Sequence, residues 1–261
     1  MTESDADTPQ SADFVQSLAR GLAVIRTFDG EPAELSLAEV ARRADIPRAA
    51  ARRFLRTLEQ LGYVMATSDA RFRLTPRVLE LGYGYLSSLS LPEIVQPHLD
   101  ELSHRIGESV SVAVLDGDEI VYVARAAARR IMSVRITIGT RLPAAVTSMG
   151  RVLLAAITDA GARLDATELV AYTPRTRADR AELLAELDCV RTQRWAMVDG
   201  ELEDGLRSIA VPLHGATGVT AALNVSTSTA RGTADEVRAE LLPALQETAS
   251  RIDAELRAAR V

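Results

Sequence analysis

The sequence predicts a two-domain protein of the α+β fold class. The chain has 261 residues, of which 47% are hydrophobic and 25% charged, a composition typical of a globular protein with a sizeable core. Up to about residue 75 the pattern indicates short amphipathic helices and one small hairpin. Beyond residue 92, strand patterns separated by tight turns alternate with helices, which predicts a mainly antiparallel sheet flanked by helices.

The first two elements are predicted to be helices. Apolar residues recur at helical spacing over residues 14–28, and we expect this face to pack against the elements that follow. These residues are Phe14, Leu18, Leu22, Ile25 and Phe28. Ser36 and Glu39 then have the spacing of a capping box, which predicts a second, short helix over residues 37–44.

Residues 45–62 predict a helix with one apolar face and one basic face. Pro47 suits the first helical position and Gly62 the end of the helix. The apolar arc comprises Ala50, Ala51, Phe54, Leu55, Leu58 and Leu61. The opposite arc carries Arg48, Arg52 and Arg56 at i, i+4 and i+8, with Ala49 and Arg53 beside them. Taken alone, this pattern would fit any surface helix with a solvated charged face.

The neighbours of this basic helix give it a more specific meaning. A short helix precedes it across a tight turn, and a hairpin follows it, with Arg71 and Arg73 on the return strand. Together these elements predict a winged helix-turn-helix, in which the second helix enters the DNA major groove and the wing contacts the backbone. Arg42 and Arg43 are interpreted as plain surface charge.

We predict different DNA contacts for different arginines. Arg48 and Arg52 are expected to reach base edges, with Ala49 lying between them on the same face. Arg53 and Arg56 on the helix, and Arg71 and Arg73 on the wing, are expected to hold phosphates. The net charge of −6 is unevenly distributed, because residues 12–75 carry +2 and the remainder −8. All thirty basic residues are arginine.

The predicted boundaries divide the chain into four parts. Residues 1–11 form an acidic, disordered tail, and residues 12–75 form the winged helix-turn-helix DNA-binding domain. Residues 76–91 form a linker helix that starts at Thr75-Pro76, and residues 92–261 form the second domain. The sequence contains no membrane-spanning run and no signal peptide, and Cys189 is its only cysteine, so we expect a cytoplasmic protein without disulfides.

The second domain is predicted to begin with a helix that ends at Gly107. Strands are expected at 109–115, 120–124, 131–136, 195–198, 208–213 and 219–226. The segment from Gly139 to Pro143 is interpreted as a loop, and a helix follows Thr147. A capping box at Thr233–Glu236 opens the last helix, which contains Pro243.

The sequence offers little support for catalysis. His98, His104 and His214 are scattered without metal-ligand spacing, and neither a Gly-x-Ser-x-Gly elbow nor a P-loop is present. A hairpin turn explains the carboxylates of residues 116–119. We therefore predict no catalytic site, metal or cofactor. The alternatives are a small-molecule-binding enzyme fused to a winged helix, and a structural DNA-binding protein without sequence preference.

Several motifs resemble those of the IclR-type bacterial transcription regulators. They occur in order over residues 14–258: Gln16–Leu22, Leu37–Ala41, Arg52–Val64, Gly107–Val110, Ile120–Arg125, Thr147–Arg151 and Glu201–Pro212. Residues 129–134 and 139–143 look more specifically like the Pca/Pob branch, which controls the catabolism of aromatic acids. Many relatives carry Ser or Thr where this chain has Ala49 and Ala50, which shifts the expected base readout onto the arginines.

This resemblance implies a GAF-like effector domain and a small organic-acid effector such as protocatechuate or 4-hydroxybenzoate. It also implies dimers, often paired into tetramers, on palindromic operators. The effector would shift operator binding or the recruitment of RNA polymerase through the linker helix.

The residues suggest where such an acid could bind. A helix N-terminus at Ser148, Met149 and Gly150 would supply N–H donors to its carboxylate. Ser208, Asn224 and Ser226 are polar residues within apolar strands, where they either find a backbone partner or line a cavity. Met132 and Leu142 would form an apolar wall or belong to the core. Arg125 and Arg135 would neutralise the acid or form structural salt bridges.

Overall fold

The computed structural model describes residues 14–29, 33–81, 91–128 and 136–259. The chain divides into two compact units, Met1–Tyr85 and Leu86–Val261. The predicted tail, most of the predicted linker helix and nearly all of the predicted strand at 131–136 lie outside the described residues. Met132 and Arg135 lie outside them as well.

The described part of the N-terminal unit has the predicted order of helices and hairpin. Its helices are α1 (Gln16–Arg26), α2 (Leu37–Arg43) and α3 (Arg48–Gln60), and its strands are β1 (Leu35–Ser36), β2 (Val64–Ala66) and β3 (Arg71–Leu74). The antiparallel strand order is β1-β3-β2, so the wing gains a short strand that we did not predict. Leu35 of this strand is fully buried, together with Val24, Val40 and Leu55.

Local contacts define the helix-turn-helix. The predicted capping box of α2 is confirmed, since the Ser36 N–H donates to Glu39 Oε2 at 2.7 Å and the Glu39 N–H to Ser36 Oγ at 3.3 Å. Asp45, with φ of 49°, turns the chain between α2 and α3. α3 starts at Arg48, so Pro47 is its N-cap instead of its first residue. Gly62 ends α3 with φ of 81°, as predicted.

Two apolar residue sets are placed differently from our prediction. Phe14, Leu18 and Leu22 of the first helical pattern are 48%, 63% and 46% exposed. Phe28 of the same pattern is buried as predicted and Ile25 packs against the core, while Val24, which is outside the predicted pattern, is fully buried. Leu61 is 51% exposed, because α3 ends just before it. The stripe of Phe14, Leu18 and Leu22 is therefore not covered by described residues.

The segment after the wing starts as a tight turn. Thr75 is the N-cap, as predicted, and its side chain accepts a hydrogen bond from the Arg77 N–H. The residues that it caps, Pro76–Val78, form a 3₁₀ turn instead of the first turn of an α-helix. Residues 79–81 are helical.

In the C-terminal unit, the described strands form one antiparallel sheet in the order β6-β5-β4-β9-β8-β7. These strands are β4 (Ser109–Asp116), β5 (Glu119–Ala126), β6 (Arg141–Pro143), β7 (Ala196–Asp199), β8 (Leu206–Gly215) and β9 (Gly218–Ser228). The helices are α4 (Leu91–Ile106), α5 (Ser148–Ala156), α6 (Ala160–Ala166), α7 (Arg180–Gln193) and α8 (Ala234–Ala259). Our prediction of a loop over 139–143 is wrong for β6, an edge strand that tolerates Pro143 at its end.

Helices cover both faces of this sheet. One face carries larger aliphatic residues such as Val112 and Leu223 and packs against α4 and α8. The other face packs against α5 and carries alanines: Ala113, Ala196, Ala210 and Ala222, all fully buried. The small side chains allow α5 to lie close to the sheet.

A buried ion pair fixes the start of α5. Arg151 is fully buried and donates to both carboxylate oxygens of Glu201, at 2.9 and 2.5 Å, and through Nε to the Ala145 carbonyl at 3.0 Å. The Arg177 N–H donates to Glu201 Oε2 at 3.0 Å. Since both charges are satisfied by direct contacts, the pair ties α5 to the chain before β8 and to the segment around Arg177.

We expect Arg151→Met to lower the free energy of unfolding of the C-terminal unit by about 3–5 kcal/mol, because buried Glu201 loses the cation that donates to both of its oxygens and keeps, among the described cations, only Arg177 Nε at 4.0 Å. Arg151→Met/Glu201→Met should lose less than the sum of the two single substitutions. Urea unfolding followed by the fluorescence of Trp195, the only tryptophan, measures this. Arg251→Met, which breaks the exposed pair with Glu101, serves as the control and should have a far smaller effect. Equal losses in Arg151→Met and Arg251→Met would contradict this assignment.

Candidate functional site

The exposed face of α3 carries the predicted arginines. Arg48, Arg52, Arg53 and Arg56 are exposed, and so is Ala49. Ala51, Leu55 and Leu58 on the opposite face are buried, which confirms the direction in which the helix packs. The four guanidinium groups form no hydrogen bond or ion pair with another described residue. They are free to contact an anionic partner.

The two arginines of the wing have different surroundings. Arg73 is exposed, as a phosphate contact requires. Arg71 is placed differently, because its Nη2 donates to the Glu34 carbonyl at 2.7 Å and lies 3.2 Å from Glu39 Oε2. Hydrogen bonds from Ser36 hold the pKa of Glu39 below its usual range, and Arg71 adds to this effect. Arg71 therefore fastens the wing to the capping box, a structural contact that its predicted phosphate role does not include.

One of the two arginines interpreted as surface charge also has a structural contact. Arg43 Nη1 donates to the carbonyl oxygen of Thr27 at 2.9 Å and so ties α2 to the end of α1. Arg42 is exposed and makes no side-chain contact with a described residue.

The C-terminal unit contains a cavity between the N-terminus of α5 and the alanine-bearing face of the sheet. Six predicted effector residues line it: Leu142, Ser148, Met149, Ser208, Asn224 and Ser226. Seven further described residues line the cavity, and we did not predict them from the sequence: Tyr122, Ile136, Val146, Thr147, Val198, Leu202 and Leu206. The cavity and its mouth enclose about 460 Å³, but the centre of a water molecule can occupy only about 30 Å³ of this space.

Gly150 has a different role from the one predicted. It does not line the cavity, and its N–H already donates to Thr147 Oγ1 at 3.1 Å. A Cβ on Gly150 would lie 2.1 Å from the Ala144 carbonyl oxygen. Glycine is therefore required for the close approach of α5 to the turn Ala144–Val146, and its expected contact with the acid is a wrong assignment.

The polar side chains of the cavity are incompletely hydrogen-bonded. Ser148 and Asn224 are 1% and 3% exposed, and neither Ser148 Oγ nor Asn224 Oδ1 has a partner among the described residues. Asn224 Nδ2 donates to Ser226 Oγ at 3.0 Å. Burial raises the pKa of Tyr122 to about 12, so its phenol is neutral at pH 7. Because unpaired buried polar groups are costly, these atoms mark a site suited to a small polar ligand.

Arg125 lies on the same face of the sheet as these polar residues. Its Nη1 donates to Ser111 Oγ at 3.3 Å. No carboxylate of the described chain pairs with it, so the predicted alternative of a structural salt bridge is not found there. Burial lowers its pKa below the usual range.

Other chemistry finds little support in the described part of the chain. His98 contacts Glu255 and His214 contacts Asp253, each as a separate pair. No group of three or more His, Cys, Asp or Glu side chains in the described ranges is arranged to hold a metal ion. Within these same ranges, no helix combines the length and the apolar character needed to cross a membrane.

Comparison with known proteins gives consistent matches to both units. The IclR helix-turn-helix domain matches residues 17–67, and the bacterial transcriptional regulator IclR C-terminal domain matches residues 83–254. The chain is 50% identical over 238 residues to the Pca regulon regulatory protein of Pseudomonas putida, covering 89% of this chain and 81% of that protein. It is 37% identical over 252 residues to the p-hydroxybenzoate hydroxylase transcriptional activator of Acinetobacter baylyi, covering 93% of this chain and 92% of that protein.

A solved structure resembles the chain over nearly its full length. An IclR homologue from Microbacterium hydrocarbonoxydans, crystallised with 4-hydroxybenzoate, superposes with a TM-score of 0.83 at 26% identity, covering 93% of this chain and 99% of that one. These relatives are transcriptional regulators, so the alternative of an enzyme fused to a winged helix is wrong. Two family domains in the expected order, together with 50% identity to a regulator, establish the membership. The chain belongs to the IclR family of bacterial transcriptional regulators.

Proposed function

We propose that this regulator binds operator DNA through α3 and responds to a hydroxylated aromatic acid bound in the cavity of its C-terminal unit. The observation that carries the proposal is the pair of buried, unpartnered polar atoms, Ser148 Oγ and Asn224 Oδ1, on opposite walls of that cavity. A ligand with polar groups at both ends of a flat ring would reach both side chains.

The DNA contacts are assigned from the exposed side chains of the N-terminal unit. Arg48 and Arg52 lie in the first half of α3, the part of a recognition helix that reaches base edges, with Ala49 between them. Arg53, Arg56 and Arg73 are assigned to phosphates. Arg71 is left out of this set because of its contacts with Glu34 and Glu39.

The class of effector follows from the cavity and from the relatives. The described walls combine uncharged polar side chains with apolar residues such as Leu142 and Met149, which suits an aromatic ring with polar substituents. One relative is named for the Pca regulon, another for p-hydroxybenzoate hydroxylase, and a similar structure holds 4-hydroxybenzoate. We assign 4-hydroxybenzoate and protocatechuate as the first compounds to test.

Binding of such a ligand must change the cavity. The space open to the centre of a water molecule, about 30 Å³, is too small for an aromatic ring, so lining side chains have to move. A ligand that binds one arrangement better than another shifts their populations. The shift would reach the DNA through the proposed linker helix at 76–91, altering operator affinity or contact with RNA polymerase.

We further propose a homodimer, with a tetramer as a higher assembly. The exposed stripe of Phe14, Leu18 and Leu22 on and before α1 supports an intersubunit contact in the N-terminal unit. Two such units would present their α3 helices to successive major grooves of a palindromic operator.

Substitutions on α3 and the wing should separate base readout from phosphate contact. Arg52→Ala should reduce discrimination between the operator and random DNA by about 1–3 kcal/mol. Arg73→Ala should weaken binding to the operator and to random DNA equally. It should also reduce the slope of log binding constant against log salt concentration by the equivalent of about one phosphate contact. Fluorescence anisotropy at several salt concentrations, on a duplex selected from random sequences by the wild-type protein, measures both effects.

Arg71→Ala provides the matched control on the wing. It should lower the melting temperature through the lost contacts with Glu34 and Glu39, while the number of phosphate contacts in the folded protein stays that of wild type. A wild-type salt dependence for Arg73→Ala, or unchanged discrimination for Arg52→Ala, would contradict the assigned interface.

Substitutions in the cavity should weaken effector binding without unfolding the chain. Ser148→Ala and Asn224→Ala should each raise the Kd of 4-hydroxybenzoate by about 5- to 30-fold, the effect of losing one hydrogen bond to a buried ligand. Isothermal titration calorimetry of the full chain measures this, and Ser250→Ala on the exposed side of α8 is the matched control. Wild-type affinity in both cavity variants would place the acid elsewhere.

A further inference from the structure

We propose that Arg125 supplies the positive charge that pairs with the carboxylate of the effector, a step that rests on the function proposed above.

The bulge brings Arg125 to the face of the sheet that bears the cavity. The register of β4 and β5 shifts between Val112 and Ala113, so that Ser111 pairs with Arg125 and Ala113 with Tyr122. Ser111 and Ala113 point to the same side of the sheet, and their partners do too. Tyr122 lines the cavity, and Arg125 therefore lies on the cavity side three residues further along β5.

A row of polar residues connects Arg125 to the cavity. Arg125 Nη1 donates to Ser111 Oγ at 3.3 Å, and Ser111 pairs across β4 and β9 with Asn224. Directly opposed residues in such a pair have Cβ atoms about 4.5–5.5 Å apart. Asn224 Nδ2 donates one of its two N–H groups to Ser226 Oγ. A ligand carboxylate at this end of the row would therefore accept the second N–H of Nδ2, and it would lie within reach of the Arg125 guanidinium.

The charge at this end of the sheet is uncompensated in the described structure. Each described residue that lines the cavity is uncharged. Arg125 is partly buried, and its described hydrogen-bond partner is the neutral hydroxyl of Ser111. Residues 127–140 contain no Asp or Glu, so the adjoining segment of the sequence has no side chain that could serve as its counter-ion. A bound carboxylate would provide this counter-ion.

The N-terminus of α5 is the competing position for the carboxylate. Two of its N–H groups are already satisfied, because Gly150 donates to Thr147 Oγ1 and Arg151 to the Thr147 carbonyl. The N–H groups of Ser148 and Met149, the first two of the helix, have no acceptor among the described residues, and the Ser148 hydroxyl has no partner there either. These donors are neutral, whereas Arg125 offers a full positive charge without a carboxylate partner in the described chain. We therefore orient the effector with its carboxylate towards Arg125 and its ring hydroxyl towards Ser148.

The test compares a charged ligand with a neutral analogue of the same shape. Calorimetry of the full chain with 4-hydroxybenzoate and with 4-hydroxybenzamide separates the charge from the rest of the contacts. Arg125→Gln should raise the Kd of 4-hydroxybenzoate by about 10- to 100-fold, as expected for the loss of a charged hydrogen-bond partner. The same substitution should change the Kd of 4-hydroxybenzamide by less than about threefold, and Arg125→Lys should give an intermediate loss for the acid.

Arg141→Gln is the matched control, because Arg141 lies on the neighbouring strand β6 and is paired with Asp116 and Glu119. It should bind both ligands as wild type does. If Arg125→Gln binds 4-hydroxybenzoate with wild-type affinity, the proposed role of Arg125 is wrong, while the proposed function stands. The same holds if the affinities for the acid and the amide fall equally, because Arg125 would then have a structural role. If the wild-type chain binds neither 4-hydroxybenzoate nor protocatechuate, the proposed function fails and this inference fails with it.

Discussion

The buried ion pair of Arg151 and Glu201 is the constraint on which the C-terminal unit depends. Arg151 donates to the Ala145 carbonyl, and Glu201 accepts an N–H from Arg177. This one ion pair therefore connects α5 with the segment around Arg177 and with the chain around Glu201. Gly150 allows this arrangement, because any side chain there would collide with Ala144. The position of Ser148 at the cavity wall thus follows from two neighbours in the sequence that have no contact with the cavity themselves.

The same packing leaves the cavity with unmet hydrogen-bonding capacity. Alanines on the α5 face of the sheet permit close packing, whereas Asn224 and Ser148 carry buried polar atoms without described partners. Such atoms reduce the stability of the unliganded protein. A ligand that forms hydrogen bonds with these two side chains would recover part of this free energy on binding. A narrow cavity can in this way bind a small acid selectively and change shape as it does so.

The sequence predicted the fold well wherever its signals were local. Helical spacing, the capping boxes at Ser36 and Thr233 and the turn at Gly117 each involve a few consecutive residues. The contacts that we did not predict involve side chains whose partners are distant in sequence. Arg71 binds the Glu34 carbonyl, 37 residues away, and Glu201 lies 50 residues from Arg151. The bulge that places Tyr122 and Arg125 on the same face of the sheet contains no glycine that would indicate it in the sequence. Pro143 favoured a loop over the edge strand β6. Six of the predicted effector residues nevertheless line one cavity.

The most direct test of this account is a crystal structure of the full chain with 4-hydroxybenzoate at saturating concentration. We expect the ligand between α5 and the β8–β9 face, within hydrogen-bond distance of Ser148 Oγ and the Asn224 amide, with the cavity wider than in the unliganded chain. A ligand bound outside this cavity, or an unchanged cavity in a protein that calorimetry shows to bind the acid, would contradict the account.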